Sequence, residues 1–209
     1  MGTGEVRRLT QGATAFDREV FERARPYLRT RHNEAHTVIS HGFALRLLAE
    51  ETGDPDVVRP AILLHDVGWS RVPEDRQLSA FGPSPTDPEL TRVHEREGAA
   101  MAAEILRTLG CPETLVGEVA EIVAGHDTRL ESLGPSDALV KDADKLFRLS
   151  GEGFPIDCGR FGLDPDEHLR WLEERVDRWF FTETAKRIAL EELAARRCEL
   201  AAAAKASAG

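Results

Sequence analysis

Apolar residues in this chain return at every third or fourth position and nowhere alternate. That spacing buries one face of a helix and leaves no face for a sheet. Phe16, Val20, Phe21, Ala24 and Leu28 predict a first helix, with Pro26 placed to end or kink it. A second runs from about His36 to about Glu51 along Ile39, Phe43 and Leu47, and Gly53 stops it. Asp54-Pro55 opens a third, Asp as cap and Pro in the first turn. Further helices are predicted over about 89–109, from Pro112 to His126, and through Leu139, Val140, Ala143, Leu146 and Phe147. Asp164-Pro165-Asp166-Glu167 starts the last two, 165–181 and 183–204, with a fraying Ala-rich end. Two stretches read as loops. One is 70–88, rich in proline and favoured as a lid; the other is 150–163, with four glycines and Pro155. No repeat or linker intervenes, so residues 1–209 are expected to form a single all-α domain.

Charge and cysteine usage narrow the function. With 27 Lys and Arg against 37 Asp and Glu, the net charge of −10 argues against general nucleic-acid binding. It leaves room for a small anionic substrate in a locally positive pocket. No apolar run approaches the roughly 20 residues of a membrane span, and Met1 to Ala15 carries no signal-peptide core. Val6 stands where a myristoylation signal wants Ser or Thr. Cys111, Cys158 and Cys198 form no CxxC and read as reduced thiols of a cytoplasmic protein. Trp171, Trp179, Phe180 and Phe181 read most simply as core, and equally suit a pocket wall or a homodimer face.

The chemistry concentrates where the third helix ends: Ala61-Ile62-Leu63-Leu64 runs straight into His65-Asp66. A His-Asp pair alone is more often a helix end than a metal site. Here, however, metal-capable residues occur on five predicted helices: His36, His65-Asp66, His94, His126 and Asp144. Gly98 and Ala102 follow His94 on its own face, so another element can approach closely. Apolar neighbours Leu139, Val140, Ala143 and Leu146 argue against a wet face for Asp144. One bundle-core site accounts for all six at once. His41 competes with His36, but lies about 140° further round the same helix.

His36, then His65-Asp66, then the distant Asp144 resemble the signature of the HD-domain superfamily of metal-dependent phosphohydrolases. His94-Glu-Arg-Glu-Gly98-Ala99 and His126 resemble the two added histidines of its dinuclear branch. The spacings, 29 positions from His36 to His65 and 18 from His126 to Asp144, look like those of HD-type diadenosine tetraphosphate hydrolases. The resemblance covers about 30–150 and implies an HD-like helical bundle carrying two extra C-terminal helices. It implies two divalent transition metals (Fe, Mn, Ni, Co or Zn). His36, His65 and Asp144 would complete one site, His94 and His126 the other, and Asp66 would bridge them as the catalytic carboxylate. A metal-activated water would attack a phosphate ester or anhydride of a nucleotide or small metabolite. Lys145, Arg148 and, more weakly, Arg71 would hold the phosphate. The 29-residue spacing favours His36 over His41. The same ligands resemble those of HD-type di-iron oxygenases, and a non-catalytic nucleotide sensor is a third reading.

Overall fold

The computed structural model describes residues 9–82 and 85–207. The N-terminal readings at Met1, Gly2 and Val6, and Pro83 in the 70–88 stretch, lie outside them. Among the described residues there are eleven α-helices and no strand. They are α1 (Ala15–Ala24), α2 (Asn33–Leu48), α3 (Pro55–Leu64), α4 (Glu74–Gln77), α5 (Glu89–Thr108), α6 (Glu113–Val123), α7 (Pro135–Leu146), α8 (Gly153–Phe161), α9 (Pro165–Glu173), α10 (Val176–Trp179) and α11 (Glu183–Ser207). Among the described residues no helix is long and apolar enough to cross a membrane. The three cysteines are free.

α3 is the axis of the fold. Val57, Val58, Ala61, Ile62, Leu63 and Leu64 are all buried, so the helix is apolar all round and packs against α1, α2, α5, α6 and α7. Asp54 caps it, accepting from the Asp56 N–H at 2.9 Å. α1 ends at Ala24 and continues as a 3-10 turn over Arg25–Tyr27, as Pro26 requires. Beyond α3 the chain tightens into a 3-10 turn, Val67–Arg71, that lies on α5. Contact there is backbone to backbone: a Cβ on Gly68 would come within 2.0 Å of the His94 carbonyl oxygen. Glycine is obligatory at that crossing, which sets Asp66 beside His94.

Three expectations are corrected. The 70–88 stretch is not structureless: it holds α4, and its main chain is tied down. Gln77 donates to the Trp69 and Val72 carbonyls, Thr91 Oγ1 to Ala80 O, and the Thr86 and Asp87 amides to Ser79 O. The 150–163 stretch contains α8, because burial of Phe154 and Asp157 outweighs the glycines' weak propensity. The predicted 165–181 helix is two, α9 and α10, broken where the Arg175 guanidinium takes the Trp171 carbonyl at 2.7 Å. α11 packs on α7 and α9 and closes the C-terminal side.

Candidate metal centre

Four imidazoles run through the centre of the bundle in steps of about 5 Å. Ring centroids are 5.0 Å apart for His36–His65, 5.1 Å for His65–His126 and 5.0 Å for His94–His126. Each comes from a different helix or helix end: His36 from the first turn of α2, His65 just past α3, His94 from α5, His126 just past α6. Asp66, Asp144 of α7 and Asp127 lie among them. They form three overlapping groups, His36/His65/Asp144, His65/Asp66/His126 and His94/His126/Asp127.

The distances are those of donors facing a common centre. His36 Nε2 lies 2.8 Å from His65 Nε2 and 3.0 Å from Asp144 Oδ1. Asp66 turns its two oxygens to different partners: Oδ1 is 3.8 Å from both His65 and His126 Nε2, and Oδ2 is 3.6 Å from His36 Nε2. His94 Nε2 is 3.1 Å and His126 Nε2 3.7 Å from Asp127 Oδ2. Atoms sharing one ion at about 2.1 Å cannot stand more than about 4.2 Å apart, and all these pairs fall inside that limit.

The surrounding hydrogen bonds select the tautomers. His65 Nδ1 donates to Ile62 O at 2.7 Å and His126 Nδ1 to Val123 O at 2.8 Å. In the neutral ring each Nε2 then keeps its lone pair toward the carboxylates, and the buried His126 Nε2 has no hydrogen-bond partner. Trp69 donates its indole N–H to Asp66 Oδ1 at 3.0 Å, and His94 stacks on the same indole at 4.1 Å.

Burial disfavours charge on every one of these groups, and contact between them reverses it for most. Facing imidazoles hold the Asp66 and Asp144 carboxyls well below the usual range, and Asp127 at about 2. Against its own burial, His126 is raised to about 10 by Asp127, Asp66 and Asp144, and His65 is also raised. His94 is lowered, its burial prevailing. This is an acid-rich cavity asking for positive charge, which a divalent ion supplies while displacing the imidazole protons. The donor set of neutral imidazole and carboxylate fits a transition-metal ion.

Two buried charges fix the stretch of chain that carries His126 and Asp127. Lys141 Nζ donates to the carbonyls of Gly125, His126 and Arg129 at 2.6, 3.0 and 2.8 Å. From the other side Glu95 accepts from the Asp127 and Thr128 amides, both at 2.9 Å, and from Thr128 Oγ1 at 2.6 Å.

A cleft of about 270 Å³ opens onto the cluster, lined by Arg31, Arg148 and Arg160 beside Asp66, Asp127 and Asp144. Arg31 lies 4.2 Å over Trp69 and 4.6 Å over Phe81. It sits at φ 53° and His32 at φ 61°, a left-handed pair that costs each non-glycine residue about 1 to 2 kcal/mol. Arg160 holds the strained backbone, donating to the Arg31 carbonyl at 2.7 Å. Asp157 pairs with both Arg148 (3.0 Å) and Arg160 (3.2 Å). Burial, and the neighbouring arginines set against Asp66 and Asp127, bring Arg31 down to about 10. Phe81 and Gly82 form part of the wall, so the 70–88 stretch borders the cleft.

All six residues singled out as ligands meet at this centre. Arg148 lines the cleft, and Lys145 lines a cavity continuous with it. Arg71 does not reach it: five residues past Asp66 on a 3-10 turn, it faces a separate depression with Arg23, Tyr27 and Met101. Its anticipated phosphate contact is therefore withdrawn. Asp127, Arg31 and Arg160 were missed. Asp127 repeats the His-Asp adjacency of His65-Asp66 and was open to recognition on that ground. Nothing local marks the two arginines.

The HD-domain family matches the chain over residues 35–149. No curated protein matches it. A solved structure from an uncultured Thermotogales bacterium, described as a predicted HD superfamily hydrolase, is similar in fold. It has a TM-score of 0.61 and 22% identity, and the likeness covers 92% of each chain.

Proposed function

The chain belongs to the HD-domain family, and we propose that it is a metal-dependent phosphohydrolase acting on a small anionic phosphoester or phosphoanhydride. His36, His65 and Asp144 would hold one divalent ion and His94, His126 and Asp127 a second, with Asp66 reaching both. Such ions supply an activated water and take up the charge that develops on the phosphoryl oxygens. The chain's own groups do the rest. Ile62 and Val123 carbonyls keep two Nε2 atoms free for metal, and the Trp69 N–H orients Asp66. Arg31, Arg148 and Arg160 present planar, permanently charged forks for phosphoryl oxygens.

One observation carries this reading: three arginines line the same cleft as the carboxylate–imidazole cluster. They face the cleft's four carboxylates, Asp66, Asp127, Asp144 and Asp157, so these side chains sum to one negative charge. Two divalent ions turn it positive, and a protein of net charge −10 then offers a local well for an anion. Oxygen activation on the same ligands would not by itself call for an anion site beside them.

The test is hydrolysis of a panel of aryl phosphates, phosphodiesters and nucleotides by protein whose metal content has been measured, with Mn, Fe, Co, Ni, Mg or Zn added in turn. Turnover that disappears in Asp66→Asn is expected. No turnover with any metal would remove the proposal.

A further inference from the structure

The family match stops at residue 149, and residues beyond that point supply most of the wall of a second chamber, about 220 Å³ in volume. Asp144 and Arg148 line both cavities, so the chamber opens where the metal centre ends. Its balance differs. The cleft sets three arginines and four carboxylates beside Trp69, Phe81 and Phe147; the chamber shares Asp127, Asp144, Arg148 and Asp157 with it and adds Lys145 and a side built of Phe161, Leu163, His168, Trp171 and Trp179.

These rings are fixed in place. Trp171 and Trp179 meet edge to face at 5.2 Å, His168 stacks on Trp171 at 5.8 Å and on Phe154 at 5.3 Å, and Arg175 lies 3.8 Å over Trp171. A wall locked by its own stacking does not collapse to fill the space beside it. His168 is 7% exposed, and its Nε2 has no hydrogen-bond partner. Burial lowers its pKa. Aromatic surface held open beside a charged cleft suits a ligand that is charged at one end and flat at the other. A cavity of roughly 150 Å³ already admits a single benzene ring, so this one has space for one or two fused rings.

We infer that the chamber receives an aromatic ring of the substrate, attached to the phosphoryl group that lies over the metal centre. The inference rests on the phosphohydrolase reading and narrows it to phosphoesters or phosphoanhydrides whose organic part carries such a ring. Helices α8 to α10, outside the family match, would then set specificity, while the matched bundle does the chemistry.

Binding separates the two ideas, because phosphonates are not hydrolysed. Calorimetric titration of the metal-loaded protein with phenylphosphonate and with methylphosphonate should show the phenyl compound tighter by about tenfold or more. Leu163→Trp, which fills the chamber, should bring the ratio toward one. Trp179→Ala, which removes a wall, should do the same if Leu163→Trp does not fold. Equal affinities in the wild type, or a ring preference that survives both substitutions, would overturn the chamber proposal and leave the hydrolase reading standing. Failure of both phosphonates to bind would overturn both.

Discussion

Helix α2 carries two histidines five positions apart, His36 partly exposed and His41 buried, and they serve opposite ends. His41 is fully buried, with Nε2 3.6 Å from Asp17. Asp17 is already engaged: it accepts the Thr14 amide at 2.7 Å in a capping box and the Arg59 guanidinium at 3.0 Å. One carboxylate, one guanidinium and one imidazole close on each other away from any cleft, although among the described residues neither His41 ring nitrogen has a hydrogen-bond partner. His36, on the other side of the helix, faces Asp144, His65 and Asp66 at the edge of an open cleft. There the carboxylates outrun any fixed cation in contact with them, and two imidazole nitrogens are held free by carbonyls behind them. A His–Asp contact is therefore no signal of metal by itself. The signal is a carboxylate whose remaining acceptor capacity has no partner within the protein.

That contrast breaks first under Asp66→Asn. Metal content measured by elemental analysis should fall, and kcat/KM should drop roughly 10³-fold or more, while the melting temperature changes little. Asp17→Asn should do the reverse, lowering thermal stability with metal stoichiometry intact. Were Asp17→Asn to strip metal, the division between the two histidines would collapse. Lys141→Met comes next. It removes the lysine donor from three carbonyls, of which Gly125 O keeps the Arg129 amide, and should cost about 2 kcal/mol in denaturant unfolding, with weaker retention of the ion nearest His126. Arg31→Met should raise KM by about thirtyfold, some 2 kcal/mol, with metal content unchanged. Loss of metal in this variant would make Arg31 part of the scaffold rather than of substrate binding.

The smallest effect is in acid. Although its own burial opposes ionisation, His41, the Thr14 amide and Arg59 hold Asp17 at about 2 against an ordinary 3.8. Its folded-state pKa lies below the unfolded one, so its stabilisation is complete above about pH 4 and is lost as pH falls through 2. The amount is at most about 2 kcal/mol. Asp17→Asn should flatten that part of the stability–pH curve; an unchanged curve would show that Asp17 does not carry it.

Much of this was legible in the sequence because it is local. Asp54-Pro55 and Asp164-Pro165 mark helix starts whatever surrounds them, and the apolar run ending in His65-Asp66 already describes a buried helix delivering polar ends to the core. The number of His and Asp residues at helix ends was informative where no single one was. What stayed hidden depends on pairs distant in sequence. α8 forms despite its glycines because Arg148 and Arg160 grip Asp157 and Phe154 is buried. Arg31 and Arg160 stand 129 positions apart and become neighbours only through the fold. Arg71 went astray for a geometric reason: about three residues per turn, rather than 3.6, turns it away from the centre.

The clamp on residues 125–129 has a further consequence. Lys141 and Glu95 satisfy that segment's main chain from both sides without help from any ion. Folding is then expected not to wait on loading, unlike small domains that collapse when chelated. On that expectation the stripped protein would keep its fold, and one ion could replace another without the chain coming apart. Which ion occupies it is then a matter of supply and intrinsic ligand preference, copper and zinc outcompeting manganese wherever they are free. In a cell, the working metal would be decided by traffic around the protein rather than by its assembly.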